Sequence, residues 1–169
     1  MYFSANRPYR PQGSGQRGFT LVESLVALVI LSVGLLGVAK LVLGAVHADD
    51  SAYMRGQATQ LAYELLDQMR ANRPGAIAND YQGGGAGVNN NCAGVACTPQ
   101  QLAQLDLYNF NVMLHQALPN TASTTYNVVM GVDAFNDVTA TITVSWDDSL
   151  AASAFADAAQ KTVTLESIL

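Results

Sequence analysis

The sequence predicts an α+β fold. One long N-terminal helix packs on a small antiparallel β-sheet, with one further helix. Three observations predict it. An apolar run from Phe19 to Val46 passes without a break into an amphipathic helical pattern that lasts to about Asn72. A helix-start signal stands at Thr98-Pro99-Gln100-Gln101. Residues 138–146, VTATITVSW, alternate strictly between apolar and polar.

The chain has 169 residues, the size of one ordinary domain. Its charge is uneven. Arg7, Arg10 and Arg17 lie in the first eighteen residues, which hold no acidic side chain. The rest carries 5 basic and 13 acidic side chains, a formal charge of −8. Such a body repels phosphate backbones, so a nucleic-acid partner is not expected.

The first element is the apolar helix. Residues 25–46, LVALVILSVGLLGVAKLVLGAV, extend ~33 Å as a helix, enough for a bilayer core of ~30 Å. Lys40 is the only charge in that stretch, near its far end, where its stem can snorkel to the interface. The arginines in front predict a cytoplasmic N-terminus and a body outside the inner membrane. Gly34, Gly37 and Gly44 fit either close helix packing or a softened segment.

Glu23 does not fit a helix that only anchors. A carboxylate in the bilayer costs on the order of 2.5–3.5 kcal/mol at the centre and less near the edge. Leucine would serve a plain anchor better. A cleavable secretory signal is the other simple reading, with Val46-His47-Ala48 as a small-x-small site before Asp49. Its apolar region would be much longer than the usual ~7–15 residues.

The second element continues the first. Met54, Ala58, Leu61, Leu65 and Met69 recur at helical spacing, with Ala62 and Leu66 beside them, and much of the opposite face is polar. Pro74 disfavours helix at Arg73, and Gly75 supplies a turn. Residues 74–97 then read as loop, with little to bury in YQGGGAGVNNNCAGVAC. Cys92 and Cys97 are too far apart for a C-x-x-C redox motif, and no second Cys or His cluster supports zinc. Outside the cytoplasm a disulfide closing a short loop is favoured over two unpaired cysteines.

The third element is a helix from Thr98 to about Leu118. Thr98 is the N-cap, Pro99 sits at N1, and Gln101 completes a capping box. Leu102, Leu105, Tyr108, Val112 and His115 share one expected buried face, and Phe110, Met113, Leu114, Ala117 and Leu118 extend it. Strands follow. Val138, Ala140, Ile142, Val144 and Trp146 face inward; Tyr126, Val128 and Met130 alternate before them, and Val163 and Leu165 after. Three or four antiparallel strands cover the amphipathic half of the long helix. Tyr53, Tyr63 and Trp146 are expected to pack in the core.

No catalytic set is visible, and an enzyme is not expected. His47 and His115 stand apart, and no Gly-x-Ser-x-Gly, P-loop or His-Glu-x-x-His pattern occurs. Asp133/Asp137 and Asp147/Asp148 are acidic pairs of the kind that usually sit solvated in turns, so no metal and no cofactor is expected.

The stretch RGFTLVESLVALVI resembles the class III signal of type IV prepilins and type II secretion pseudopilins: a basic leader ending in Gly, then Phe-Thr-Leu-x-Glu, then an apolar helix. The resemblance implies a type IV pilin-like fold. It implies that prepilin peptidase cuts between Gly18 and Phe19 and methylates the Phe19 amine. That cleavage leaves a cation at the head of an apolar helix. In a filament core the cation is buried, and Glu23 of a neighbouring subunit can pair with it and fix the register.

The segments GLLGVAKL, QATQLAYELLDQMRANRPGA and CTPQQLAQLDLYNFNVMLHQALPN, with the Thr-rich strand ending in Trp146, are similar to the PilV-type group of minor pilins. The expected organisation is then a leader over 1–18, a membrane or filament-core helix over 19–46, and a periplasmic head over 47–169 whose first part, 47–72, is the amphipathic helix half. The partners implied are the inner membrane, prepilin peptidase, other minor pilins, the major pilin and the pilus assembly machinery. The expected places are the inner membrane, with a single pass, and then the pilus at the cell surface. The role implied is priming of assembly at or near the pilus tip, in support of twitching motility and adhesion. Two other readings stand beside it: a minor pseudopilin of a type II secretion system, and a permanently anchored periplasmic binding module.

Overall fold

A computed structural model describes residues 18–94, 96–119, 121–135, 137–149 and 159–169. The expected leader, apart from Gly18, lies outside the described residues. The chain divides into two compact units, the first running up to Lys40 and the second covering Leu41–Leu169. The elements in order are α1 (Leu21–Ala71), α2 (Arg73–Ile77), α3 (Pro99–Ala117), β1 (Thr125–Val132), β2 (Val138–Asp147) and β3 (Gln160–Ile168). This is the expected pilin-like α+β fold.

The part of α1 in the first unit holds an apolar window long enough to cross a membrane by length and composition, and none of that window is buried. In the second unit the character of α1 changes. Ala58, Leu61, Ala62, Leu65, Leu66 and Met69 are buried on one face. They share a core with Phe110 and Leu114 of α3, and with Val128, Ile142 and Val144 of the sheet. Each large side chain so buried contributes on the order of 1.5–3 kcal/mol. Phe110 meets Tyr126 edge to face, with ring centroids 4.9 Å apart at 79°.

The sheet has the order β1-β2-β3 with both pairs antiparallel. Val128 pairs with Ile142, and Ile142 with Leu165, which puts the alternating apolar residues on one face. In the β1–β2 hairpin, Asp133 Oδ1 accepts from Phe135 N and Asp137 N, each at 2.8 Å. The Asp133 side chain thus closes this turn, with Asp137 contributing its backbone.

Four expectations change. Arg73 is helical, because α2 begins there and Pro74 is tolerated in a first helical turn. The loop after Ile77 does bury something: Tyr81 is fully buried. The buried face of α3 is Ala103, Asp106, Leu107, Phe110 and Leu114. Of the expected surface, Phe110, Leu114 and Leu118 are buried, Leu102, Leu105, Tyr108, Met113, His115 and Ala117 are half-buried, and Val112 is 37% exposed. Apolar residues surround this helix, so its spacing alone does not choose a face; packing against α1 and the sheet does. Finally, Tyr53 and Tyr63 lie on the exposed side of α1, 65% and 51% exposed, while Trp146 is in the core.

Candidate functional site

The residues singled out at the head of the chain fall at the start of α1. Gly18 and Phe19 precede it, and Glu23 stands in its first turn. Thr20 caps the helix: its Oγ1 accepts from Glu23 N at 3.2 Å, and its carbonyl from Ser24 N at 3.2 Å. Thr20-Leu21-Val22-Glu23 is a capping-box spacing, which the expectations above did not use. An acid in the first turn also complements the helix dipole. Glu23 therefore has a local role in addition to any role in assembly. Phe19 and Leu21 are 80% and 84% exposed, and the apolar side chains that follow are exposed along the first unit. Water does not favour that much bare apolar surface; a membrane or a helix bundle does.

In the second unit, Cys92 and Cys97 are joined in a disulfide with their Cα atoms 5.6 Å apart. The bridge leads into α3, where Thr98 Oγ1 accepts from Gln101 N at 3.2 Å and Gln101 Oε1 from Thr98 N at 3.0 Å. The preceding loop is tied on both sides. Gly83 exchanges two backbone hydrogen bonds with Val128, at 2.8 and 2.9 Å, along the free edge of β1. Tyr126 donates its hydroxyl to Gly85 O. Val88 N bonds Gln104 O at 3.1 Å, and Asn90 Nδ2 bonds Gln101 O at 2.9 Å.

A buried polar cluster joins this loop to both helices. Asn72, at the end of α1, donates to Pro99 O at 2.8 Å and to the Tyr81 hydroxyl at 3.1 Å. Tyr81 donates to Asp106 Oδ2 at 2.5 Å. Burial pushes the Tyr81 hydroxyl well above the usual tyrosine range, and its bond to Asp106 pushes the same way. Burial also raises Asp106, with the Tyr81 hydrogen bond partly offsetting it. No sequence signal pointed to this cluster, since its members are nine to thirty-four residues apart in unrelated contexts.

His115 Nδ1 lies 2.9 Å from Asn111 O, within its own helix. Among the described residues no group of three or more His, Cys, Asp or Glu is placed to hold a metal.

A family model described as the prokaryotic N-terminal methylation motif matches residues 13–39. The chain carries a type IV prepilin-like class III signal. With the fold above, the signal supports a type IV pilin-like or pseudopilin protein. A signal of this type implies membrane association and processing by prepilin peptidase and pilus machinery. No curated protein and no solved structure matches the chain.

Proposed function

We propose that the protein is a minor type IV pilin of the PilV-like kind, a structural and assembly component rather than an enzyme. In this reading prepilin peptidase removes residues 1–18 by cutting between Gly18 and Phe19, and the Phe19 amine is methylated. Residues 19–46 cross the inner membrane and later line the filament core, and 47–169 form the periplasmic head. The subunit joins other minor pilins to prime assembly and takes a place at or near the pilus tip, in support of twitching motility and adhesion.

One observation carries the reading: the methylation motif over residues 13–39 runs into a helix that continues to Ala71 and there becomes the core of a disulfide-bearing head. The resemblance of the segments downstream to minor pilins supports the pilus over a type II secretion system, in which a pseudopilin shares the same signal.

Intact mass and N-terminal sequencing of the membrane-extracted protein test it. A start at N-methylated Phe19 is expected. A start at Met1 supports a permanent anchor, and a start at Asp49 a secreted domain; either defeats the filament reading. Deleting the gene and scoring twitching against secretion then separates pilus from secretion system.

A further inference from the structure

A cavity of about 260 Å³ opens in the second unit, lined among others by His47, Asp50, Tyr53, Met54, Pro119 and Asp148. Its polar side is incomplete in a specific way. Asp148 is only 2% exposed, and Ser51 Oγ donates to its Oδ2 at 2.5 Å, while its Oδ1 has no hydrogen-bond partner. His47 Nδ1 is likewise buried and unpartnered. Two orphaned atoms therefore belong to residues of one cavity wall. A carboxylate oxygen only accepts, and so does Nδ1 when the proton is on Nε2. The group missing beside Asp148 Oδ1 is a donor, and a cationic donor also compensates the buried carboxylate. Asp50, exposed at the same cavity, adds a second negative charge. The remaining walls, Tyr53, Met54 and Pro119, suit an alkyl stem and the face of a planar cation.

We propose that this cavity is a receptor for a basic side chain, arginine or lysine, of a neighbouring pilin-type subunit. Its source in a neighbouring subunit rests on the filament reading above; the cation site itself does not. The formal charge of −8 beyond residue 18 agrees with a cationic partner. A guanidinium brings several N–H donors on one planar cation, which suits the two carboxylates, Asp148 and Asp50, that line this cavity.

The full chain, extracted in detergent, is titrated with N-acetyl-arginine methylamide, its neutral citrulline counterpart, and spermidine. Trp146, the single tryptophan, is buried two residues from Asp148 and reports by fluorescence. Saturable binding of the arginine compound, without the citrulline one, is expected. Asp148→Asn should weaken it by about tenfold or more, and Asp50→Asn, at an exposed position that leaves the core untouched, by about threefold. Equal binding of citrulline, or an unchanged Asp50→Asn variant, overturns the cation site, so a failure of Asp148→Asn to fold leaves the test intact. The source is read by placing a photo-crosslinking benzoylphenylalanine at Tyr53 in assembled filaments. A crosslink to a peptide bearing Arg or Lys of another subunit is expected. A crosslink within the same chain, or spermidine outbinding the arginine compound, overturns the subunit source. A Met1 start with intact arginine binding sinks the filament reading and the subunit source while leaving the pocket as a cation site.

Discussion

Tyr81 donates its hydroxyl to Asp106 Oδ2 at 2.5 Å while accepting from Asn72 at 3.1 Å, and so pins the loop after α2 to both α1 and α3. Tyr81→Phe keeps the ring and removes the donor, leaving a buried carboxylate without that partner. A loss of about 1–3 kcal/mol in denaturant unfolding is expected, with a lowered midpoint and unchanged slope. The double variant with Asp106→Leu should recover part of it, because no acceptor is then left unpaired.

The same cluster sets a pH dependence. Asp106 is raised above its ordinary 3.8 in the folded state, chiefly by burial. The folded state therefore holds this proton more tightly than the unfolded state. Its contribution is fully present below about pH 4 and is lost as pH climbs through the raised folded value. Asp106→Asn removes that dependence. Unfolding of both proteins across pH 3–8 should give stability curves that converge at the acid end and separate as pH rises.

Tyr126 acts at the alkaline end. Burial pushes it from 10.0 up to about 12. Its contribution is present below about pH 10 and lost as pH rises through about 12. Tyr126→Phe loses the bond to Gly85 O, so it is less stable at neutral pH, yet its stability declines less steeply above pH 10. Urea unfolding at a series of alkaline pH values reads both effects.

Gly87 is required where it stands. Its φ is +66°, and a Cβ there would lie 2.3 Å from Tyr108 N and 2.4 Å from Gln104 O, both backbone atoms of α3. Gly87→Ala should cost more than about 1 kcal/mol. Gly85, whose added Cβ meets nothing within 4 Å, is the control. Gly85→Ala should stay within about 0.5 kcal/mol of the parent in thermal melts.

Glu23 separates two roles by magnitude. Its place in the first turn of α1 is worth about 0.3–1 kcal/mol to the helix. In the proposed pairing with a buried N-terminal amine it is worth much more, so on that reading Glu23→Ala should cut filament-incorporated protein by roughly a hundredfold or more. Cleavage at Gly18 should persist. Thr20→Ala, which removes only the cap, should leave incorporation within about tenfold of the parent. Equal defects in the two variants, scored by immunoblot of sheared filaments, would return Glu23 to a capping role.

The elements written in a strong local pattern were legible in the sequence. The Thr98 capping box and the inward set of β2 follow from short-range rules: two orphan N–H groups at a helix start, and a period of two. The disulfide was legible as a spacing. What misled was composition without direction. Apolar residues lie around most of α3, so only part of its buried surface, Phe110, Leu114 and Leu118, was readable, and Tyr53 and Tyr63 look like core residues although they sit on the outer side of α1.

The sequence by itself determined the prepilin-like signal, the long helix and the order of the elements other than the short α2, because each depends on residues within a turn or two of one another. Only the tertiary structure decided which face of α3 is buried, why Tyr81 is needed in a loop of glycines, and that His47 and Asp148, about a hundred residues apart, line one cavity. These depend on contacts between distant segments. A buried polar group is placed by its partner, and the partner's position exists only once the chain has folded.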